Sequence, residues 1–130
     1  MTEQVTVQSK PSIQSIQYNG FTWVNIEGPT RAEMKFLQDN YPFHPLDLDD
    51  CLSQVQLPKL DQYQDYIFLV LHFPIFHEKL RVNVPGEVDI FVGANYLITV
   101  HESELQLLNK LFLDCQQSEE TRATHMSKGS

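Results

Sequence analysis

The chain has 130 residues and a formal net charge of −8, with 17 acidic against 9 basic side chains. Its 42% hydrophobic and 20% charged content is typical of one globular domain and excludes disorder over the whole length. So acidic a balance disfavours nucleic acid and anionic membrane surfaces as partners, because both bind through clustered Lys and Arg.

Cysteine spacing and the polar N-terminus predict a reduced, cytosolic protein. Cys51 and Cys115 are far apart and form no C-x-x-C motif. The first ten residues lack the apolar core of a secretory signal. The most apolar run, residues 66–76, is too short for a membrane-spanning helix, which takes about 20 residues.

The first predicted element is a β-hairpin. A polar leader, residues 1–11, precedes two β-like runs at residues 12–18 and 21–26. Asn19-Gly20 stands between them and tolerates positive φ at both positions, which favours a two-residue hairpin turn.

Two helices are predicted to follow the hairpin. Thr30 and Glu33 form a capping box for the first, which ends before Pro42. Its apolar face holds Met34, Leu37 and Tyr41.

The second helix is predicted to start at Pro45 and to end before Pro58. Helical spacing directs one set of side chains to the core and another outward. The core set is Leu48, Cys51, Leu52 and Val55; the outward set is Asp47, Asp50 and Gln54.

The next segments are predicted to be mainly strands. Residues 58–64 suit an edge strand or a loop, and residues 66–73 a strand buried on both faces. Residues 82–92 alternate in polarity, and Pro85-Gly86 predicts a bulge or turn within them. Residues 96–100 complete the set of strands.

The last predicted element is a helix capped by Ser103, with Gln106 in the capping-box position. Its apolar stripe is wide enough to need partners on more than one side. The stripe comprises Leu105, Leu108, Phe112 and Cys115, widened by Leu107 and Leu111.

The sequence favours a protein that is not an enzyme. It has no nucleophile elbow, Gly-rich phosphate loop or H-E-x-x-H motif. His72 and His77 have no fixed metal-binding geometry across Pro74, and His101-Glu102 has no nucleophile or second base nearby in sequence. A structural role is expected for all three histidines.

Residues 46–65 form an acidic stretch that could bind a cation. It contains five aspartates and one base, Lys59, and so carries half of the net charge of the chain. A solvated acidic face is one interpretation, supported by favourable carboxylates at a helix N-terminus. The other is a weak site for Mg²⁺, which needs one or two carboxylates and keeps most of its water.

Four ordered segments carry a resemblance to a known family. They are Phe21-Thr22-Trp23-Val24-Asn25-Ile26 with Pro29-Thr30; His44-Pro45-Leu46-Asp47-Leu48-Asp49-Asp50; Pro58-Lys59 with Tyr63, Asp65-Tyr66 and Phe68-Leu69-Val70-Leu71; and Asp89-Ile90-Phe91-Val92-Gly93 with Asn95-Tyr96-Leu97-Ile98-Thr99-Val100-His101. Over about residues 13 to 115 the chain resembles the cytosolic N-terminal domain of CorA magnesium/cobalt transporters.

The resemblance implies an α/β fold, an α/β/α layered sandwich around a mixed, largely antiparallel sheet. It further implies a homopentamer at the cytoplasmic face of the cell inner membrane, closed by Mg²⁺ bound between neighbouring subunits. Regulatory Mg²⁺, or Co²⁺, is the implied ligand. Asp49 and Asp50 take the places of the family's Glu and Asp ligands, and helical phase makes Asp50 the better candidate.

The sequence also departs from that family, since it has no Gly-Met-Asn motif and no transmembrane segment. We therefore expect a domain at residues 12–116, truncated before the stalk helix, and a polar tail at residues 117–130. Contact with a membrane would come only through missing C-terminal helices.

Two alternatives to a magnesium-sensing domain stay open. One is the zinc-transporting branch of the same family, which this domain's sequence hardly separates. The other is a free-standing soluble interaction module with the same fold, for which partner binding without metal dependence is expected.

Overall fold

The structure, a computed structural model, describes residues 13–53, 56–102, 106–118 and 123. Within these ranges the chain forms six strands and three main helices. They are β1 (Ile13–Tyr18), β2 (Phe21–Glu27), α1 (Arg31–Asn40), α2 (Pro45–Leu52), β3 (Lys59–Gln62), β4 (Ile67–His77), β5 (Val82–Val92), β6 (Tyr96–His101) and α3 (Gln106–Gln117).

The strands form one sheet in the order β1-β2-β6-β5-β4-β3. β2 and β6 are parallel, with Val24 opposite Ile98, and the other four pairings are antiparallel. The prediction of a mixed, largely antiparallel sheet is therefore confirmed.

Helices cover both faces of the sheet, which gives the predicted α/β/α layers. On one face, α1 and α2 pack over the main core. On the other, α3 covers a smaller cluster. Buried members of the main core include Ile26, Leu37, Cys51, Phe68, Phe91 and Ile98; the smaller cluster contains Ile16, Trp23, Phe112 and Cys115.

Local signals placed the first elements correctly. Asn19 and Gly20 have φ of 51° and 79°, as a two-residue hairpin turn requires. The Thr30 side chain accepts from the backbone N–H of Ala32, and Glu33 accepts from the Thr30 backbone N–H at 2.6 Å. The predicted capping box is thus confirmed.

The helix α2 is shorter than predicted. It ends at Leu52 because Ser53 is extended, with φ −76° and ψ 153°. The helix therefore stops well before Pro58, and Val55 and Gln54 lie outside the described residues.

The prediction of a bulge or turn at Pro85-Gly86 is wrong. β5 continues through both residues, with Pro85 opposite Pro74 and Gly86 opposite Phe73. These pairs lie beyond the residues of β4 and β5 that pair with β3 and β6. A two-stranded ribbon leaves half of its N–H donors without a strand partner, so proline is tolerated there.

The prediction that β4 is buried on both faces is also only partly correct. Phe68 and Val70 are fully buried under the helical layer, whereas Leu71 and Phe73 on the opposite face are 36% and 44% exposed. The far half of the β4–β5 hairpin extends past the core, so its apolar side chains meet solvent.

Other predictions fall outside the described residues. These are the leader, the helix cap at Ser103, Leu105 and most of the polar tail. The side chains of Gln106 and Leu107 are likewise outside them, whereas Leu108 and Leu111 pack against the smaller cluster as expected.

Candidate metal site

The acidic segment is held at the N-terminus of α2 by a well-defined cap. Pro45 occupies the first turn, and His44 is the N-cap, whose Nδ1 accepts from the Leu46 backbone N–H at 3.1 Å. The cap fixes where the following aspartates point, since helical positions advance by about 100° per residue.

Asp47 does not point outward, so that prediction is wrong. Its side chain is only 2% exposed and lies between two tyrosines. The Tyr63 hydroxyl donates to Oδ1 at 3.1 Å, and the Tyr66 hydroxyl donates to Oδ2 at 2.8 Å. Asp47 precedes the core residue Cys51 by four positions, so the two share a face of the helix.

The Tyr66 hydroxyl also accepts the backbone N–H of His44 at 2.8 Å. Burial and the hydrogen bond to Asp47 raise the pKa of Tyr66, which therefore stays a neutral donor. Asp47 thus joins α2 to the segment before β4 and is not available to a metal ion.

Asp50 is paired with a lysine of the same chain. Lys59 Nζ lies 2.8 Å from Asp50 Oδ2 and 3.3 Å from Asp61 Oδ2, and 5.6 Å from the centre of the Phe68 ring. The hydrogen bond to Asp50 raises the pKa of Lys59, which keeps its positive charge. The Asp50 side chain is 25% exposed.

Asp49 is the exposed member of the predicted pair. Helical phase alone placed Asp50 further from the core. Phase describes only the helix itself, so it could not predict that Lys59 of β3 pairs with Asp50 and covers it. The structure therefore gives Asp49 the more accessible carboxylate, although both residues lie on the same short helix.

These side chains fit a hydrated Mg²⁺ better than a closed protein cage. No group of three or more His, Cys, Asp or Glu residues that could hold a metal occurs in the described ranges. Mg²⁺ is commonly held by one or two carboxylates and several waters. An exposed Asp49, with Asp50 beside it, suits such a site if a second chain supplies another ligand.

A second acidic pair, one member of it buried, lies on β5 and was missed from the sequence. Asp89 on β5 is 3% exposed, beside Glu87 on the same face. The pKa of Asp89 is raised to about 9. Burial is the largest cause, followed by the hydrogen bond with Glu87 and the negative charge of Glu87. Alternation along β5 did not reveal this pair, because Val88, Ile90 and Val92 lie on the opposite face and Phe91 is the one nearby apolar residue that shares the face of Asp89.

The buried histidine and cysteine have structural partners, as expected. His101 Nε2 lies 3.1 Å from Asn25 Oδ1, which also accepts from the Thr99 hydroxyl at 2.6 Å. Trp23 Nε1 donates to Thr99 Oγ1 at 3.0 Å. Cys51 lies in the main core, where burial raises the pKa of its thiol and disfavours the reactive thiolate.

No helix within the described ranges combines the length and the apolar character needed to cross a bilayer.

Comparison with known proteins identifies a family and several relatives of this chain. The family described as CorA-like Mg²⁺ transporter protein matches residues 18–128. One relative is YfjQ of Bacillus subtilis (strain 168), which is named as a predicted metal ion transporter. It is 42% identical to this chain over 82 residues, which are 63% of this chain and 24% of YfjQ. The cobalt/magnesium transport protein CorA of Thermotoga maritima is 28% identical over 82 residues, 62% of this chain and 23% of that protein.

The chain thus spans about a quarter of the length of these curated relatives. Its fold resembles that of the soluble domain of CorA from Methanocaldococcus jannaschii, with a TM-score of 0.64 and 17% identity. The match covers 83% of this chain and 45% of that one. Because the family match extends over most of the sequence, the chain belongs to the CorA-like Mg²⁺ transporter protein family.

Proposed function

We propose that this chain is the cytosolic regulatory domain of a CorA-type divalent-cation transporter and not an enzyme. The observation that carries the proposal is the position of Asp49 and Asp50. The segment whose resemblance aligns them with the family's acidic ligands runs from the N-cap His44 through the first six residues of α2, and Asp49 there is exposed. An exposed carboxylate is what a ligand shared with another subunit requires.

In the proposed mechanism, Mg²⁺ links neighbouring subunits of a homopentamer. Asp49, with Asp50, faces a carboxylate of the next subunit, and the hydrated ion lies between them. The ion stabilises the closed assembly because it binds that arrangement more tightly than the separated one. Without Mg²⁺ the facing carboxylates repel each other and favour opening.

The proposal predicts weak Mg²⁺ binding by the isolated chain, centred on α2. We expect backbone amide NMR shifts at millimolar Mg²⁺ around Asp49, and we expect Asp49→Asn to reduce them. Asp65→Asn, at another exposed aspartate, is the matched control and should leave them unchanged. Shifts that survive both Asp49→Asn and Asp50→Asn would refute this site.

A second experiment separates transport from the alternatives. We expect the gene's reading frame to encode a Gly-Met-Asn motif and two apolar segments of about 20 residues beyond residue 130. Uptake by cells that express the whole protein, with Mg²⁺, Co²⁺ and Zn²⁺ compared, would then identify the ion. A reading frame without apolar segments would instead favour a soluble interaction module.

A further inference from the structure

A group of ionisable side chains lies between the C-terminal end of α2 and the sheet. It contains Asp89 and Glu87 of β5, His72 of β4 and the Cys51 thiol of α2. His72 is the cross-strand partner of Glu87, and Val70 is that of Asp89. The three strand side chains therefore face the helical layer that contains Cys51 and the proposed regulatory segment.

Asp89 is in an environment that does not suit a negative charge. Its side chain is 97% buried, and its Oδ1 has no hydrogen-bond partner among the described residues. Its cross-strand neighbours are the buried Val70 and Val100. A buried carboxylate with an unpaired oxygen is disfavoured, whereas the neutral acid has a much smaller desolvation cost.

Glu87 is held by contacts with the segment that follows α2. Its Oε1 accepts the Gln56 backbone N–H at 2.9 Å and lies 3.9 Å from His72 Nε2. His72 Nε2 donates to the Gln56 carbonyl oxygen at 2.7 Å. Glu87 and His72 thus bind both polar groups of one peptide segment just after α2.

Among the residues that the structure describes, the other charged groups near Asp89 give it no unpaired cation. From α2, a hydrogen bond from the Cys51 thiol lowers the pKa of Asp89 and the negative charge of Asp50 raises it; both effects are smaller than those of burial and of Glu87. From β3, Lys59 is opposite Val70 on the same face, but its ammonium group is paired with Asp50 and Asp61. Two adjacent carboxylates with no free cation favour sharing a proton.

We propose that Asp89 keeps its proton at neutral pH, and that this proton, shared with Glu87, holds the end of α2 and the Gln56 segment against the sheet. Loss of the proton at alkaline pH would place two like charges in contact beneath α2. The Gln56 hydrogen bonds to Glu87 and His72 would then weaken. The packing of α2, the helix that contains Asp49, against the sheet would therefore depend on this proton.

The pH dependence of folding stability that follows from a protonated Asp89 has a definite direction. Asp89 is protonated in the folded chain but ionises in the ordinary carboxyl range, near pH 4, when unfolded. Folding therefore takes up a proton at pH values between the two pKa values. Stability contributed by this group is complete at low pH and is lost as the pH rises toward alkaline values, with the unfolding equilibrium constant rising up to about tenfold per pH unit.

The direct test is a carbon-13 NMR titration of the Asp89 carboxyl carbon in the unmodified chain, with a chelator present. The proposal expects the protonated chemical shift at pH 7 and a change only at alkaline pH. A midpoint in the ordinary carboxyl range would overturn the proposal. Because no metal is present and no variant is needed, failure here would not affect the proposed Mg²⁺ site.

A second test compares urea unfolding of the unmodified chain, Asp89→Asn and the exposed control Asp65→Asn between pH 6 and pH 9. Asn mimics the neutral acid and cannot ionise. In Asp89→Asn, the rise of the unfolding equilibrium constant with pH should therefore be smaller, by up to about tenfold per pH unit. Asp65→Asn should keep the full dependence. Equal pH dependence in all three proteins would contradict the proposal.

Discussion

At the scale of single residues, neighbouring aspartates of α2 have different roles because different partners reach them. Asp47 is enclosed by two tyrosine hydroxyls, Asp50 is paired with Lys59, and Asp49 is exposed. Only the last is free of those contacts, which is why we propose it as the ligand of an ion shared between subunits.

Asp47→Ala should lower the free energy of unfolding by about 1–3 kcal/mol, since it leaves the Tyr63 and Tyr66 hydroxyls without their acceptor. Urea denaturation measures the loss. Asp49→Ala, two residues further along the same helix, should cost less than about 0.5 kcal/mol. Equal losses would show that the tyrosine contacts do not stabilise the fold.

Lys59→Gln should strengthen Mg²⁺ binding at α2, because it removes the cation that neutralises Asp50. Partly exposed ion pairs contribute up to about 1 kcal/mol, so the expected gain is at most about fivefold in Kd. Isothermal titration calorimetry or the NMR titration measures it. Lys35→Gln removes the comparable pair with Asp39 on α1 and should leave Kd unchanged.

At the scale of elements, α3 is attached by one aromatic contact in particular. Trp23, the only tryptophan, packs edge-to-face against Phe112 at 4.9 Å between ring centres. Both side chains are buried, so the fluorescence of Trp23 reports whether α3 is docked on β2.

Phe112→Ala should destabilise the chain by about 3–5 kcal/mol and shift the Trp23 emission to the red. Leu113→Ala is the matched control, because Leu113 is the next residue and is 48% exposed. Its substitution should leave the emission unchanged. An unchanged spectrum in Phe112→Ala would mean that α3 does not protect Trp23 from solvent.

At the scale of the whole molecule, the core occupies only one part of the sheet. Phe68 and Phe76 lie on the same strand and the same face, yet Phe68 is fully buried and Phe76 is 54% exposed. The helices α1 and α2 cover the first position and not the second.

Phe68→Ala should therefore cost about 3–5 kcal/mol of folding free energy, and Phe76→Ala less than about 1 kcal/mol. Thermal or urea unfolding of the two variants gives the comparison. Similar losses would indicate that the hairpin beyond the core packs against something in solution, such as a second copy of the chain.

The sequence by itself determined the elements whose signals are local. The Asn19-Gly20 turn, the Thr30 capping box and the alternation along β2 act within a few residues, so each was predictable without the fold. The sequence also located the acidic segment on α2, and its ordered motifs identified the family.

Only the tertiary structure decided what each acidic side chain does. Asp47 is buried by tyrosines 16 and 19 residues away, and Lys59 reaches back nine residues to Asp50. Asp89 becomes a buried acid only when β5 packs beneath α2. Helical phase and strand parity give the direction of a side chain relative to its own element, whereas burial and charge pairing depend on which distant element packs against it.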